Sequence, residues 1–370
     1  MGGSSEFCNR LQKFRDAAQP SRYTPPMPPE PPDARVTIAD VARAAGVHAS
    51  TVSRALNPTT RAMVRDDVAA RVEHEAARLG WRPSAIAAGL RTRRSRTVAI
   101  LVPDLVNPVF PPIVRAAETA LAAAGYATLL ANTDNDPARE ELLVRRMAEH
   151  LVDGLMLASA ARGTRAVDLC AALRIPVVLI NRRLPGRAIP AVINDDQAGI
   201  ALAVRHLAEL GHRRIAHLAG PPGVSTAADR RAGFRTAART AGLEAAPVTA
   251  AAAYTVEAGH AAARALLVGP PVTAVVAAND MLCLGLYDAL AEAGLRPGAD
   301  LSVTGFNDMP FVDRINPPLT TIRIQHDEMG RRGAALLLER LTSDANQGQS
   351  VRLTPSLVIR SSTHRAREGQ

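Results

Sequence analysis

At 370 residues and 47% hydrophobic content, the chain has enough apolar surface for large cores, and ordinary domain size divides it into two or more units. That content excludes a disordered protein. No apolar run reaches the about 18 residues of a membrane span, and no apolar segment follows the first basic residues. Neither a span nor a secretory signal is therefore read, and the cytoplasm is the expected compartment. Cys8, Cys170 and Cys283 are scattered without CxxC or Cys/His spacing, which argues against a disulfide framework and a zinc site. Cys170 and Cys283 read as buried small apolar residues, and neither a metal nor a cofactor is expected. The net charge of +9 is unevenly spread: residues 35–97 hold twelve Arg against five Asp or Glu, and 98–370 hold only +2.

Residues 1–34 contain seven prolines, most of them in the run Pro25-Pro26-Met27-Pro28-Pro29-Glu30-Pro31-Pro32. Such a run favours extended polyproline conformations and supplies too little apolar surface for a core, so a disordered leader is expected. A spacer is the commoner role of such a tail, and a proline-rich ligand the rarer one.

Next comes VTIADVARAAGVHASTVSRALN, residues 36–57. Thr37 can cap a first helix whose apolar positions Ile38, Val41, Ala42 and Ala45 form one buried stripe. Gly46 allows a tight reversal. A second helix, from about Ala49 to Leu56, turns Val52, Ala55 and Leu56 inward and leaves Ala49, Ser50, Ser53 and Arg54 pointing away. This is the pattern of a helix-turn-helix, whose second helix enters a DNA major groove. A plain helical hairpin of small residues has the same pattern, but the concentration of Arg on this one module favours a phosphate-binding head. A third helix, Arg65 to Leu79, presents Val68, Val72, Ala76 and Leu79 to close a three-helix core, with Trp81 as its lid. Domain boundaries are placed at 35–81 for this head and 82–96 for a hinge. The hinge holds the helix-capable stretch from Pro83 to Arg91, too short to be stable alone.

From Thr97 strands and helices alternate. Val98 to Val102, Ala127 to Ala131, Gly154 to Ala158 and Val177 to Ile180 read as buried strands. Ile215 to Leu218, Val272 to Val276 and Ser302 to Gly305 continue the series. Helices are expected near Ile113 to Ala124, Pro137 to His150, Ile200 to Leu210, Ala227 to Ala241, Val256 to Leu267 and Met281 to Ala293. Asp136 caps the second of these, with Pro137 at its first position. Alternation over this length gives an α/β architecture of parallel sheets covered on both faces, in two lobes over 97–370.

VTIADVARAAGVHASTVSRALN followed by GWRPSAIAAGLR resembles the head and hinge of the LacI-type family of bacterial repressors. VPDLVNPVF, LVDGLML, ELGHRRIAHLAGPPG, RRAGF, AANDMLCLG, SVTGFNDMP and PPLTTI continue the likeness over about 36–362. The resemblance implies a head and hinge helix joined to a two-lobe, periplasmic-binding-protein-like core, with double-stranded operator DNA as partner. It implies that Thr37, Thr51, Ser53 and Asn57 contact phosphates and that Ala49, Ser50 and Arg54 face base edges. Leu90 would wedge into a central minor-groove step, with Ser84, Ala87 and Arg91 of the hinge also meeting DNA. His48 stands where the family has a small hydroxyl residue, which puts the cap of the reading helix in question.

Open parallel sheets bind ligands at the carboxyl ends of their strands. The residues there include Asn107, Phe110, Asn181 with Arg182 and Arg183, Thr226, Arg230, Asn279 with Asp280, and Asn307 with Asp308. Tyr254 precedes its helix. Amides, Arg and an aromatic suit a polyhydroxylated ring. By resemblance Arg230, Tyr254, Asn279 and Asn307 fall at effector positions, with Phe110 and Asn181 lining the other lobe; Arg182 and Thr226 complete the expected set. Capping of helices is an equal alternative for Asp280 and Asp308. Asn307 replaces an Asp of the lactose and purine repressors and, with Arg182 and Arg183, tilts the cleft positive. A sugar is the leading expectation, and an acidic sugar or sugar phosphate gains weight.

A two-lobe enzyme is the rival class, but no G-x-S-x-G elbow, P-loop, H-E-x-x-H or G-x-G-x-x-G fingerprint is present. An extracytoplasmic sugar-binding protein would lack the head. The C-terminus carries no leucine heptads, so a homodimer is expected rather than a tetramer.

Overall fold

The computed structural model describes residues 36–57, 60–82, 94–243, 247–342 and 350–367. The chain falls into two compact units, Met1–Ser84 and Ala85–Gln370. In the first, α1 (Ile38–Ala45), α2 (Ala49–Ala55) and α3 (Asp66–Arg78) surround a small core of Val41, Ala42, Ala45, Val52, Ala55, Ala69, Val72 and Ala76. Trp81 and Leu79 pack at its edge as expected. Val68 does not: the buried stripe of α3 runs through Ala69, Val72 and Ala76, and Val68 is left half-exposed. A methyl side chain at Ala69 lets α3 approach where a larger residue would hold it off. Gly46, at φ +65, makes the left-handed reversal after α1.

The second unit contains two sheets of six strands. Lobe 1 carries β1 (Thr97–Val102), β2 (Ala127–Asn132), β3 (Gly154–Leu157), β4 (Val177–Ile180) and β5 (Ala191–Asn194). Lobe 2 carries β6 (Ile215–Ala219), β7 (Val248–Ala250), β8 (Ala274–Ala277), β9 (Ser302–Asn307) and β10 (Thr320–Arg323). Near the end of the chain β11 (Ser350–Leu353) joins lobe 1 and β12 (Ser356–Val358) joins lobe 2. The strand orders become β11-β5-β4-β3-β1-β2 and β12-β10-β9-β8-β6-β7. All pairings are parallel except β10 with β12.

The helices of lobe 1 are α4 (Phe110–Ala123), α5 (Pro137–Glu149), α6 (Ala166–Ala172) and, later in the chain, α11 (His326–Thr342). Lobe 2 has α7 (Asp196–Glu209), α8 (Ser225–Thr240), α9 (Val256–Leu267) and α10 (Asp280–Glu292). The central strands are apolar throughout, as parallel strands covered on both faces must be. β2 departs from this expectation. It is an edge strand, and Leu129 and Leu130 remain substantially exposed. Cys170 and Cys283 are buried, and burial pushes the Cys170 thiol up to about 12.

Three segments cross between the lobes: β5 into α7, β10 into α11, and β11 into β12. They are laced together. Asp195 N donates to Leu353 O at 2.9 Å, and Gln325 Nε2 donates to Thr354 O at 2.9 Å. The strand ends beside these crossings face one cleft.

Candidate functional site

In the head, Thr37 caps α1 through a capping box: its hydroxyl oxygen accepts from Asp40 N, and the Asp40 carboxylate accepts from both Thr37 N and Thr37 Oγ1. The hydroxyl proton of Thr37 is thus already given to Asp40, whose carboxyl is held below the usual range by those two bonds and by Arg43. The cap of α2 is present despite the imidazole. His48 Nδ1 accepts from Ser50 N at 3.3 Å and lies 2.8 Å from Ser50 Oγ. Nδ1 takes the place of a hydroxyl oxygen, which fixes the imidazole with its other nitrogen, Nε2, protonated. Ser50 and Arg54 are exposed, while Thr51 and Ser53 are half-exposed. Ala49, expected to point away, is half-buried against the head core instead. Asn57 is half-buried at the end of the described stretch. Ser84, Ala87, Leu90 and Arg91 lie outside the described residues.

The cleft between the two lobes holds a cavity of about 610 Å³. All eight expected effector residues line it: Phe110, Asn181, Arg182, Thr226, Arg230, Tyr254, Asn279 and Asn307. Most sit at the end of a strand or the start of a helix, while Arg230 projects from the second turn of α8 and Tyr254 lies just ahead of α9. Asn279 caps α10 by accepting from Leu282 N at 2.9 Å, so capping falls to this residue and not to Asp280 or Asp308. Asp308 instead receives Arg323 at 2.6 Å and Arg360 at 2.7 Å. Asn181, at φ +62, and Asn307, at φ +115, hold strained left-handed backbone at the cleft wall, a cost found chiefly at functional sites.

Arg230 is 2% exposed, and each nitrogen of its guanidinium makes one hydrogen bond. Nε donates to Asp196 at 2.8 Å, Nη1 to Ala278 O at 2.6 Å and Nη2 to Asn307 Oδ1 at 3.5 Å, while the group lies 3.8 Å over the Phe306 ring. Arg182 donates to Ser159 O and to Asn135 Oδ1, and burial pulls it down to about 10. Tyr254 OH is 3.4 Å from Thr226 Oγ1, and burial raises its phenol. Gly220 admits that ring: a Cβ there would lie 2.3 Å from the Tyr254 oxygen.

Several lining residues had no signal in the sequence. Glu140 on α5 points its carboxylate into the lobe 1 wall, where Ser159 and Thr164 donate their hydroxyls to it. Only tertiary packing brings those three segments together.

One charge expectation is corrected. Arg183 does not line the cavity; it turns to Asp229 across the cleft, donating through Nε at 3.0 Å and Nη2 at 2.6 Å. Asp104, Asp134, Asp136 and Glu140 face Arg162, Arg182 and Arg230, so the main cavity is not positively tilted. The lobes are latched at its mouth. Besides that ion pair, Arg162 N donates to Gly223 O at 3.0 Å and Arg183 N to Ser225 Oγ at 3.0 Å.

An exposed Arg-bearing reading helix and a two-lobe ligand cleft together define a ligand-controlled DNA-binding protein. Comparison with known proteins agrees. The family model for bacterial regulatory proteins, lacI family, matches residues 37–84, and that for a periplasmic binding protein-like domain matches 204–363. The ribose operon repressor of Escherichia coli (strain K12) is 33% identical over 344 residues, covering 88% of this chain and 99% of the relative. Among solved structures, the lac repressor dimer bound to operator and the anti-inducer ONPF aligns with a TM-score of 0.79 at 27% identity, covering 90% of this chain and all of that one. The transcriptional regulator CelR in complex with cellobiose aligns at 0.69 and 31%, covering 89% and 100%. The chain belongs to the lacI family of bacterial regulatory proteins. It is a DNA-binding transcriptional repressor under small-molecule control, and its relatives are regulators rather than enzymes. Among the described residues no helix is long and apolar enough to cross a membrane.

Proposed function

We propose that the 35–81 head reads operator DNA as one half of a cytoplasmic homodimer, and that the 97–370 unit binds a sugar in the 610 Å³ cavity. The observation that carries the ligand reading is the gathering of amide, guanidinium, hydroxyl and aromatic groups on one cavity wall. That chemistry hydrogen-bonds ring hydroxyls and stacks on a pyranose or furanose face. The balanced charge of the cavity suits the neutral ring of the ligand. The cellobiose held by CelR and the ribose in the name of the Escherichia coli relative point to the same class.

In the head, Ser50 and Arg54 read base edges, with Ala49 making at most a methyl contact. Thr51, Ser53 and Asn57 meet phosphates. Thr37 joins them only by releasing Asp40 from its hydroxyl. Ser84, Ala87, Leu90 and Arg91 act in the 82–96 hinge, whose ordering on DNA responds to closure of the lobes.

A thermal-shift panel of neutral pentoses, hexoses and disaccharides tests the ligand class on the full chain. A hit that also changes operator affinity, and that is lost in Thr226→Ala, is the expected result. A panel with no hit, or a hit indifferent to Thr226→Ala, overturns the sugar reading of this cleft.

A further inference from the structure

A second cavity of about 330 Å³ opens beside the mouth of the main one, sharing Arg162 and residues 221–224 with it. Four arginines line it, Arg162, Arg183, Arg231 and Arg235, and no Asp or Glu does. Only Arg183 has a carboxylate partner, Asp229. Arg162, Arg231 and Arg235 make no ion pair among the described residues, and Arg231 Nε is buried without any hydrogen-bond partner.

The cavity also lies at the start of α8. That helix has no side-chain cap and no acidic residue in its first turn. Arg231 and Arg235 stand one turn apart on the same helix, and Arg162 reaches in from lobe 1.

We propose that this vestibule binds a phosphoryl group. Three guanidiniums without carboxylate partners, contributed by both lobes, match a dianion that presents three oxygens better than a carboxylate that presents two. Arg183, part of the positive charge that the sequence places in the cleft, stands in this vestibule, which receives the charged end of an effector whose ring occupies the main cavity. An anion held by residues of both lobes adds to the Arg183–Asp229 latch and favours the closed cleft. The inference rests on the main cavity being the effector site, but its anion chemistry is testable without it.

Titration calorimetry on the full chain, in chloride buffer at fixed ionic strength, compares inorganic phosphate, ribose 5-phosphate and ribose. Phosphate is expected to bind the parent protein, and the double variant Arg231→Gln/Arg235→Gln to weaken it at least about tenfold by removing two charge-assisted contacts. Asp229→Asn, which frees Arg183, is expected to tighten it. Ribose 5-phosphate binding more tightly than either phosphate or ribose assigns the anion to a sugar phosphate, and equal binding of phosphate alone assigns it to a free anion. The proposal is overturned if the parent shows no phosphate binding up to about 10 mM, or if the double variant binds phosphate as the parent does. Arginine-dependent phosphate binding alongside a failed neutral-sugar panel, with ribose 5-phosphate no tighter than phosphate, overturns the sugar reading alone. A sugar hit with arginine-independent phosphate binding overturns the vestibule alone.

Discussion

Arg230 and Asp196 form an ion pair at 2.8 Å in which neither side chain is more than 4% exposed. Asp196 is the first residue of α7, just past the β5 crossover, and Arg230 projects from α8, so the pair ties a lobe crossing to the wall of the cleft. Truncating one partner of such a pair leaves a bare buried charge, worth about 3–5 kcal/mol of destabilisation. Arg230→Ala is therefore expected to lower the melting temperature markedly as well as to abolish the effector response. Differential scanning calorimetry of Arg230→Ala beside Thr226→Ala separates the two effects. An Arg230→Ala melting temperature equal to the parent's refutes the structural role.

Tyr254 rests on the bare backbone of Gly220, so Gly220→Ala should expel the ring from its place without replacing any ligand-contacting side chain. Effector affinity, measured by calorimetry once a ligand is in hand, is expected to fall at least about tenfold, as for loss of one well-placed aromatic contact. Operator affinity in the absence of effector should hold. An unchanged effector affinity would remove Tyr254 from the site.

His48→Ala deletes the cap of α2 and is expected to cost about 1 kcal/mol of head stability. Because Ser50 Oγ lies against the same imidazole nitrogen, its hydroxyl also loses its orientation. Operator affinity should drop more on specific than on random DNA, as it should for Arg54→Ala, whereas Thr51→Ala should weaken both alike. Fluorescence anisotropy on the two DNAs reads the difference, and equal losses for His48→Ala would confine it to a stability role.

Asp280 is fully buried, and burial pushes its carboxyl up to about 7, against the hydrogen bonds it accepts from Thr321 Oγ1 and Met309 N. A carboxyl raised on folding is more protonated in the native state than in the unfolded chain. Its stabilising contribution is complete below the ordinary carboxylate range and is lost as pH rises from there through about 7. Asp280→Asn can keep both bonds by reversing the Thr321 hydroxyl, so the variant should fold and show a flatter melting-temperature profile across that window. A profile parallel to the parent's would exclude Asp280 as its source.

Much of this architecture is written in local pattern. Val177–Ile180 is an unbroken run of branched apolar residues, and Val256–Leu267 has a Thr255 cap ahead of it, so both are found at the residues read from sequence. β10 was missed because Thr320, Thr321 and Arg323 give no apolar run; its threonines are buried through bonds to Asp280, Arg360 and Thr363. α11 was missed too. Gly330 and Gly333 weaken it as an isolated helix, and their purpose is tertiary: a Cβ on Gly330 would lie 2.2 Å from Ile113 O, and one on Gly333 2.2 Å from Ile180. The cleft residues were legible because strand ends are positions the sequence marks. Glu140 and the Arg183–Asp229 pairing were not, since each depends on which segments meet in space.

β11 and β12 lie six residues apart in the chain, counting from Ser350 to Ser356, yet each completes the edge of a different sheet. A chain ended at residue 349 would strip a border strand from both lobes at once, together with the Leu353 carbonyl that receives Asp195 N. Neither lobe can accordingly be cut out as a continuous piece. An engineer wishing to graft this ligand response onto another reading head must move the entire stretch from Thr97 through β12, and a stop at residue 349 would damage both lobes together.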